Sequence, residues 1–373
     1  MINLLIAGDF YPNRRVKEKL YNGQMDIISK GIAEIIQSAN LSVVNYESPM
    51  TEGTDCFPIE KSGPTLCSNK KAIDYIKTIG FDLTTLANNH TSDYGREGLL
   101  NTISYLNEKG IATVGAGKSL KEASRIYYKD EVAIINCCEH EFGIAKDDKA
   151  GANPLNAVQQ YYQITEARKH AKYVIIIVHG GCEYFQYPTP RMKELYRFFI
   201  DVGADAVINA HQHCYSGYER YHGKPIFYGL GNFCFDSFSP QEEPSSWNYG
   251  YMVMLKLNES VEFDILPYSQ CKEEPVVEFL EGEDKEIFSN DITRINSIIA
   301  SDTKLMHTYN KWIAENDGGY SYLMRPFNTK RGFLTWLKDV ITLYLNKNIK
   351  QVVLNCIRCE SHQERMINCI EQR

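Results

Sequence analysis

Through the first 210 residues, short β-branched runs alternate with segments of helical period, and few architectures accommodate that rhythm. The residue ranges 2–7, 41–45, 83–87, 111–114, 132–136, 173–178 and 206–209 read as strands. Ranges 25–37, 69–78, 96–109, 156–171 and 191–201 read as helices. Strands separated by helices pair in parallel, because a crossover of that length returns the chain to the same end of the sheet. The alternation therefore predicts an α/β fold. After Gly223 the strands 225–230, 251–257 and 261–266 follow without helices between them, which suits an antiparallel edge or a second sheet packed on the first.

The polar residues fall where these strands end. Asp9 follows the first; Asn45 and Glu47 the second; Asn88, Asn89 and His90 the third; His179 the sixth; His211 and His213 the seventh. The carboxyl ends of parallel strands are where α/β sheets bind ligands, so these groups are expected to converge on one crevice. Each alone has an ordinary reading: Asp9 as the start of a turn, Asn88-Asn89 with Asp93 and Gly95 as a loop and helix cap, His179 before Gly180-Gly181 as a loop histidine. Four of the nine histidines at strand ends favour a joint site.

Imidazole nitrogens mixed with Asp, Glu and Asn oxygens, and no cysteine among them, suit Mn²⁺, Fe²⁺ or Zn²⁺. About six ligands exceed what one catalytic zinc with an open position takes. A pair of divalent metal ions bridged by a carboxylate fits better, and such a pair serves hydrolysis or displacement at phosphorus or a carbonyl.

The pieces Gly8-Asp9, Asn45-Tyr46-Glu47-Ser48-Pro49, Ala87-Asn88-Asn89-His90, His179-Gly180-Gly181-Cys182-Glu183-Tyr184, His211-Gln212-His213 and Tyr228-Gly229-Leu230-Gly231-Asn232-Phe233 follow one another in a recognisable order and spacing. In these the chain, over residues 1–268, resembles the capsule-synthesis, poly-γ-glutamate CapA family, which looks like a branch of the calcineurin-like metallophosphoesterases. The resemblance implies a four-layer αββα sandwich. It implies Asp9 as a ligand of the first metal, Glu47 as the bridging carboxylate, Asn89 and His179 as ligands of the second, and His211 and His213 one to each. His90 would be the general acid or phosphate-contacting group, and Asn45, Asn88, Glu183 and Asn232 would line the substrate side. The activity implied is a metal-dependent hydrolase or transferase acting on a cell-envelope polymer or its precursor. The rival expectation is a metal-binding accessory protein of a polymer-synthesis complex.

Two departures from the wider superfamily stand out. Asp9 is followed by Phe10 and Tyr11 where Asp-X-His is usual, so one metal site lacks a histidine and should be weaker. The bridging residue is Glu47, one methylene longer than the usual Asp. Both departures resemble the CapA branch itself, so they bear on turnover more than on membership.

Other motifs are set aside. Ala112-Thr113-Val114-Gly115-Ala116-Gly117-Lys118-Ser119 nearly spells a phosphate-binding loop, but the helix after it is short, and a turn is expected. Cys356, Cys359, His362 and Cys369 have the look of a zinc site, yet Val352, Val353, Cys356 and Ile357 form an apolar helical stripe. Glu139-His140-Glu141 is a lesser candidate for the crevice, and Tyr184, Phe185 and Tyr187 for its wall.

Lysine plus arginine (40) against aspartate plus glutamate (47) leaves a net charge of −7 with no basic stripe, which excludes a nucleic-acid partner. No apolar run of membrane-spanning length and no export signal is visible, so a cytoplasmic location is expected, with membrane association only through partners. The family's members are often membrane-anchored. Eleven scattered cysteines are expected to be reduced core thiols. Beyond residue 268 the chain turns acidic, then helical, with breaks at Gly318-Gly319 and Pro326. Residues 269–373 are expected to form a helical extension that docks a partner.

Overall fold

The computed structural model describes residues 1–53, 55–237, 245–316, 318–324, 333–345 and 348–371. Its architecture is two facing β-sheets with helices on their outer faces. The first sheet has the order β16 (Val277–Phe279), β15 (Val261–Gln270), β14 (Tyr249–Leu257), β1 (Ile2–Tyr11), β2 (Leu41–Tyr46), β3 (Leu83–Thr85), β4 (Ala112–Val114). β1 to β4 run parallel, β14 to β16 are antiparallel, and β13 (Asn232–Phe235) pairs in parallel with the end of β1. The second sheet has the order β11 (Tyr218–Tyr221), β12 (Lys224–Phe227), β10 (Ala206–Ala210), β9 (Tyr173–His179), β7 (Val132–Cys138), β6 (Tyr127–Lys129). Its middle strands are parallel and its edges antiparallel. A two-stranded ribbon joins β5 (Ala116–Gly117) to β8 (Gly151–Ala152).

Side chains alternate across a strand, and β1 shows what that does here. Leu4 and Ile6 join Val43 and Leu83 in the core shared with the second sheet, whereas Leu5 and Ala7 face the opposite layer with Val44. That outer layer holds α1 (Arg14–Tyr21), α2 (Lys30–Ser38), α3 (Lys70–Ile79) and α4 (Gly95–Glu108); α5 (Leu120–Ala123) is a single turn beside β5. On the second sheet lie α6 (Ala157–His170) and α7 (Pro190–Val202). The helix starts are written locally. The Asn69, Asn156 and Thr189 side chains accept from backbone N–H groups of the first turn, and Pro190 stands at the start of α7.

Departures from the sequence pattern have tertiary causes. The helix expected from residue 25 begins at Lys30, because Ile27 and Ser29 pair through their backbones with Val277 and are held extended. The short helix α1 is found where none was read. The P-loop-like segment is a turn: Lys118 pairs with Glu122, and Gly115 has φ +93° with a Cβ position only 1.9 Å from Asn136 Oδ1. The sheet does not stop at residue 268, since β16 pairs with β15.

Beyond the sheet come α8 (Gly282–Ile299), α9 (Asp302–Asn316), α10 (Gly318–Met324), α11 (Phe333–Leu345), α12 (Ile349–Arg358) and α13 (Glu360–Glu371). The break between α9 and α10 falls beside Gly318; Pro326 lies outside the described residues. These helices share the main core: Ile292, Ile295, Tyr309, Cys356 and Cys369 belong to the same buried cluster as the second sheet. Nine of the eleven cysteines are buried. Cys359 separates two helices, so its neighbours do not form the continuous helix that the stripe suggested. No helix among the described residues is long and apolar enough to cross a membrane.

Candidate metal centre

The facing strand ends bring Asp9, Glu47, Asn89, His179, His211 and His213 into one buried cluster. Two groups of donor atoms lie within 4.8 Å of one another, Glu47 with His179 and His211, and Asp9 with Glu47 and His213. Glu47 belongs to both. His179 Nε2 stands 3.1 Å from Asn89 Oδ1, 3.1 Å from His211 Nδ1 and 3.5 Å from Glu47 Oε1. His213 Nδ1 and His179 Nδ1 are each 3.8 Å from an Asp9 oxygen.

The backbone is forced to serve this convergence. His211 and His213 have φ of +100° and +57°, the left-handed region that non-glycine residues enter only when their surroundings hold them there. Gln212 between them is the clamp, its amide donating to the carbonyls of Phe185 and Tyr187. The His211 N–H donates to Asp9 Oδ2. At the end of β1 the chains approach so closely that a Cβ on Gly8 would lie 1.9 Å from the Gly231 oxygen.

Glu47 decides whether the donors fit a cation. It is fully buried, and neither carboxylate oxygen has a hydrogen-bond partner. Burial and the neighbouring Asp9 carboxylate raise its pKa well above the usual range. A buried anion without donors is costly, and a divalent cation among these imidazoles and oxygens satisfies it. Burial also pushes His179 and His211 down to about 4, so both imidazoles are neutral and available as ligands. His213 is lowered by burial, but Glu47 and Glu183 more than offset this and raise it. The cluster is thus compatible with divalent metal binding.

A cavity of about 380 Å³ opens over the cluster. His90 lines it, with Nδ1 held 2.7 Å from Asp93 Oδ2 and 3.1 Å from Lys61 Nζ, which leaves Nε2 as the ring nitrogen without a protein partner among the described residues. Burial lowers the His90 pKa against the opposing Asp93 hydrogen bond. Of the four residues expected on the substrate side, only Glu183 is on the wall. Asn45 donates to Asp9 and accepts from Asn88; Asn88 also donates to the Tyr46 carbonyl; Asn232 holds His213 Nδ1 at 2.9 Å. These three asparagines lie outside the cavity lining, with their amides engaged by protein groups beside the cluster.

Glu141 and Tyr184 reach the cavity; Glu139 is clamped by Arg191, and Phe185 and Tyr187 are buried with Tyr309 and Trp312. Sequence reasoning missed Lys61, Phe235 and Trp247 on the wall, none of which stands in a motif. It also missed Asn355, Ser361, His362 and Arg365, which come from α12 and α13.

The molecule is an α/β sandwich with helices outside and a histidine–carboxylate cluster between its two facing sheets. The chain belongs to the family described as bacterial capsule synthesis protein PGA_cap, whose profile matches residues 3–237. It is 28% identical over 274 residues to the PGA biosynthesis protein CapA of Bacillus subtilis (strain 168), covering 72% of this chain and 71% of that protein. It is 28% identical over 246 residues to the capsule biosynthesis protein CapA of Bacillus anthracis, covering 63% of this chain but only 60% of the relative. Similar solved structures include TT1561 of Thermus thermophilus, at 8% identity and a TM-score of 0.40 over 71% of this chain and 98% of that one. Chaetomium thermophilum Vps29 is similar at 9% identity and a TM-score of 0.31, over 75% of this chain and 97% of that one.

Proposed function

We propose that the protein is a metal-dependent hydrolase or transferase linked to capsule, poly-γ-glutamate or another cell-envelope polymer. The observation that carries this reading is Glu47, a buried carboxylate with two unpartnered oxygens shared by two donor groups. Glu47, Asn89, His179 and His211 would hold one divalent ion, and Asp9, Glu47 and His213 another, with Mn²⁺, Fe²⁺ or Zn²⁺ suited to such donors. Ions held there would supply Lewis acidity, polarising a phosphoryl or acyl oxygen and making water a stronger acid. His90, held through Nδ1 by Asp93, would present Nε2 to the leaving group and move its proton. Asn45 and Asn232 orient Asp9 and His213, and Tyr184 and Trp247, stacked 5.9 Å apart, shield the site from water.

One feature favours a second reading, a non-catalytic accessory protein. The Asp9 group has three donors and no first-strand histidine, and a relative from Mycobacterium tuberculosis, 28% identical over 164 residues, is described as a probable polyglutamine synthesis accessory protein. Partner docking would then fall on α11, where Leu334, Leu337, Ile341 and Leu345 are exposed. Elemental analysis of the purified chain, followed by phosphate mono- and diesters assayed with each metal, separates the two readings. Turnover abolished by chelation and by Asp9→Ala or His211→Ala supports the enzyme; metal bound without turnover supports the accessory role. Unchanged metal content and turnover in both variants would remove the mechanism.

A further inference from the structure

The outer wall of the cavity is built by helices that lie outside the family-matched segment. Asn355 of α12 and Ser361, His362 and Arg365 of α13 face into it. These helices are fastened to the sandwich. Glu360 accepts from the His140 backbone N–H at 2.9 Å and lies 2.7 Å from its ring, Glu139 accepts from the Ser361 N–H at 3.1 Å, and Glu364 accepts from Thr189 at 2.7 Å. The wall is therefore tied to the sandwich by hydrogen bonds.

The charges on that wall are uneven. Lys61 and Arg365 are the fixed cations lining the cavity among the described residues, and Lys61 is already neutralised by Asp93 at 2.5 Å. Arg365 has no carboxylate partner among the described residues. Its guanidinium is held between the Trp312 and Tyr320 rings, 4.5 Å from each centroid, and Nη2 donates to the Asn316 carbonyl. Its Nε is buried with no hydrogen-bond partner. Of the wall's carboxylates, Glu141 is turned toward other groups: its Oε1 accepts from Asn355 at 3.4 Å and faces His362 Nε2 at 3.4 Å. A stacked guanidinium without a counter-charge is preorganised for a carboxylate or phosphate.

We propose that Arg365 is a specificity-determining residue that binds a second anionic group of the substrate, next to the one engaged at the histidine–carboxylate cluster. The substrate class is thus a molecule with two neighbouring acidic groups, such as an anionic polymer or a diphosphate. This rests on the reading of the cavity as a metal-dependent substrate site and narrows it.

Titration calorimetry on the full chain, with and without added Mn²⁺, compares phosphate with pyrophosphate and acetate with glutarate. Wild type is expected to bind the two-anion probe at least about 10-fold tighter than its one-anion counterpart, and Arg365→Gln to bring the two within about 2-fold. The arm that shows the margin identifies the second group as phosphate or carboxylate. Arg365→Lys keeps the charge but loses the fork and is expected to retain about a third of the margin, which decides the matter should Arg365→Gln not fold. A margin absent from wild type in both arms, or unchanged in the variants, overturns the proposal. Metal content is measured separately. A chain without metal would count against the reading under Proposed function, while the margin in metal-free protein still tests Arg365.

Discussion

Replacing Glu47 with Gln should move the stability of the metal-free and metal-loaded protein in opposite directions. In the metal-free chain Glu47 is fully buried, its oxygens accept no hydrogen bond, and Asp9 adds a second carboxylate beside it. An unsatisfied buried polar group costs about 1–3 kcal/mol, and more when charged. The isosteric amide removes the charge and the repulsion but remains poorly partnered, so the gain in stability is estimated at about 1–3 kcal/mol. For a chain of this size that is a rise in melting temperature of roughly 1–4 °C. With cation at 1,000 times its Kd the order reverses, because binding then stabilises wild type by about 4.1 kcal/mol, and the variant lacks the carboxylate shared by both donor groups. Differential scanning calorimetry of both proteins in chelator and then in Mn²⁺ or Zn²⁺ reads both halves. A Glu47→Gln protein less stable than wild type in chelator would refute the argument, since it would mean that the carboxylate is satisfied by the protein alone.

The pH dependence of the metal-free chain follows from the same burial. His179 and His211, lowered to about 4, take up protons in the unfolded chain near pH 6.5 but not in the folded one, so stability falls as pH drops from about 6.5 to about 4. Glu47, being raised, works in the opposite sense above its ordinary value, so urea midpoints should fall more steeply with acid in Glu47→Gln than in wild type. Gly8→Ala should cost at least about 2 kcal/mol and lower metal content, because its Cβ would meet the Gly231 oxygen at 1.9 Å and displace Asp9; denaturant unfolding with elemental analysis checks both. His90→Gln should leave metal content unchanged while lowering turnover of phosphate esters by about 100-fold, and a drop in metal content instead would reassign His90 as a ligand.

The layers were legible in sequence because parallel strands put their carboxyl ends on one edge, which gathers the residues after Val44 and Ala87 on one sheet and those after Val178 and Ala210 on the other; the facing of the two sheets joins the pairs. The alternation of Leu4, Leu5, Ile6 and Ala7 between two cores needed no more than the period of a strand. What lay beyond that edge was hidden. Asn45, Asn88 and Asn232 carry the same amide as Asn89, and only the tertiary structure places Asn89 on the cavity and the other three behind it. The start of α2 was set by backbone pairing with Val277, some 250 residues away, against its own helical period. Lys61, Trp247 and Arg365 stand in no motif, because a cavity wall asks only that a side chain be near, from whichever loop or helix passes. Local sequence sets periodicity and caps; it carries no record of distance between segments far apart in the chain. The donors were therefore determined by the sequence alone, whereas the enclosure over them, with the C-terminal helices turned back onto the strand ends, was decided by tertiary packing.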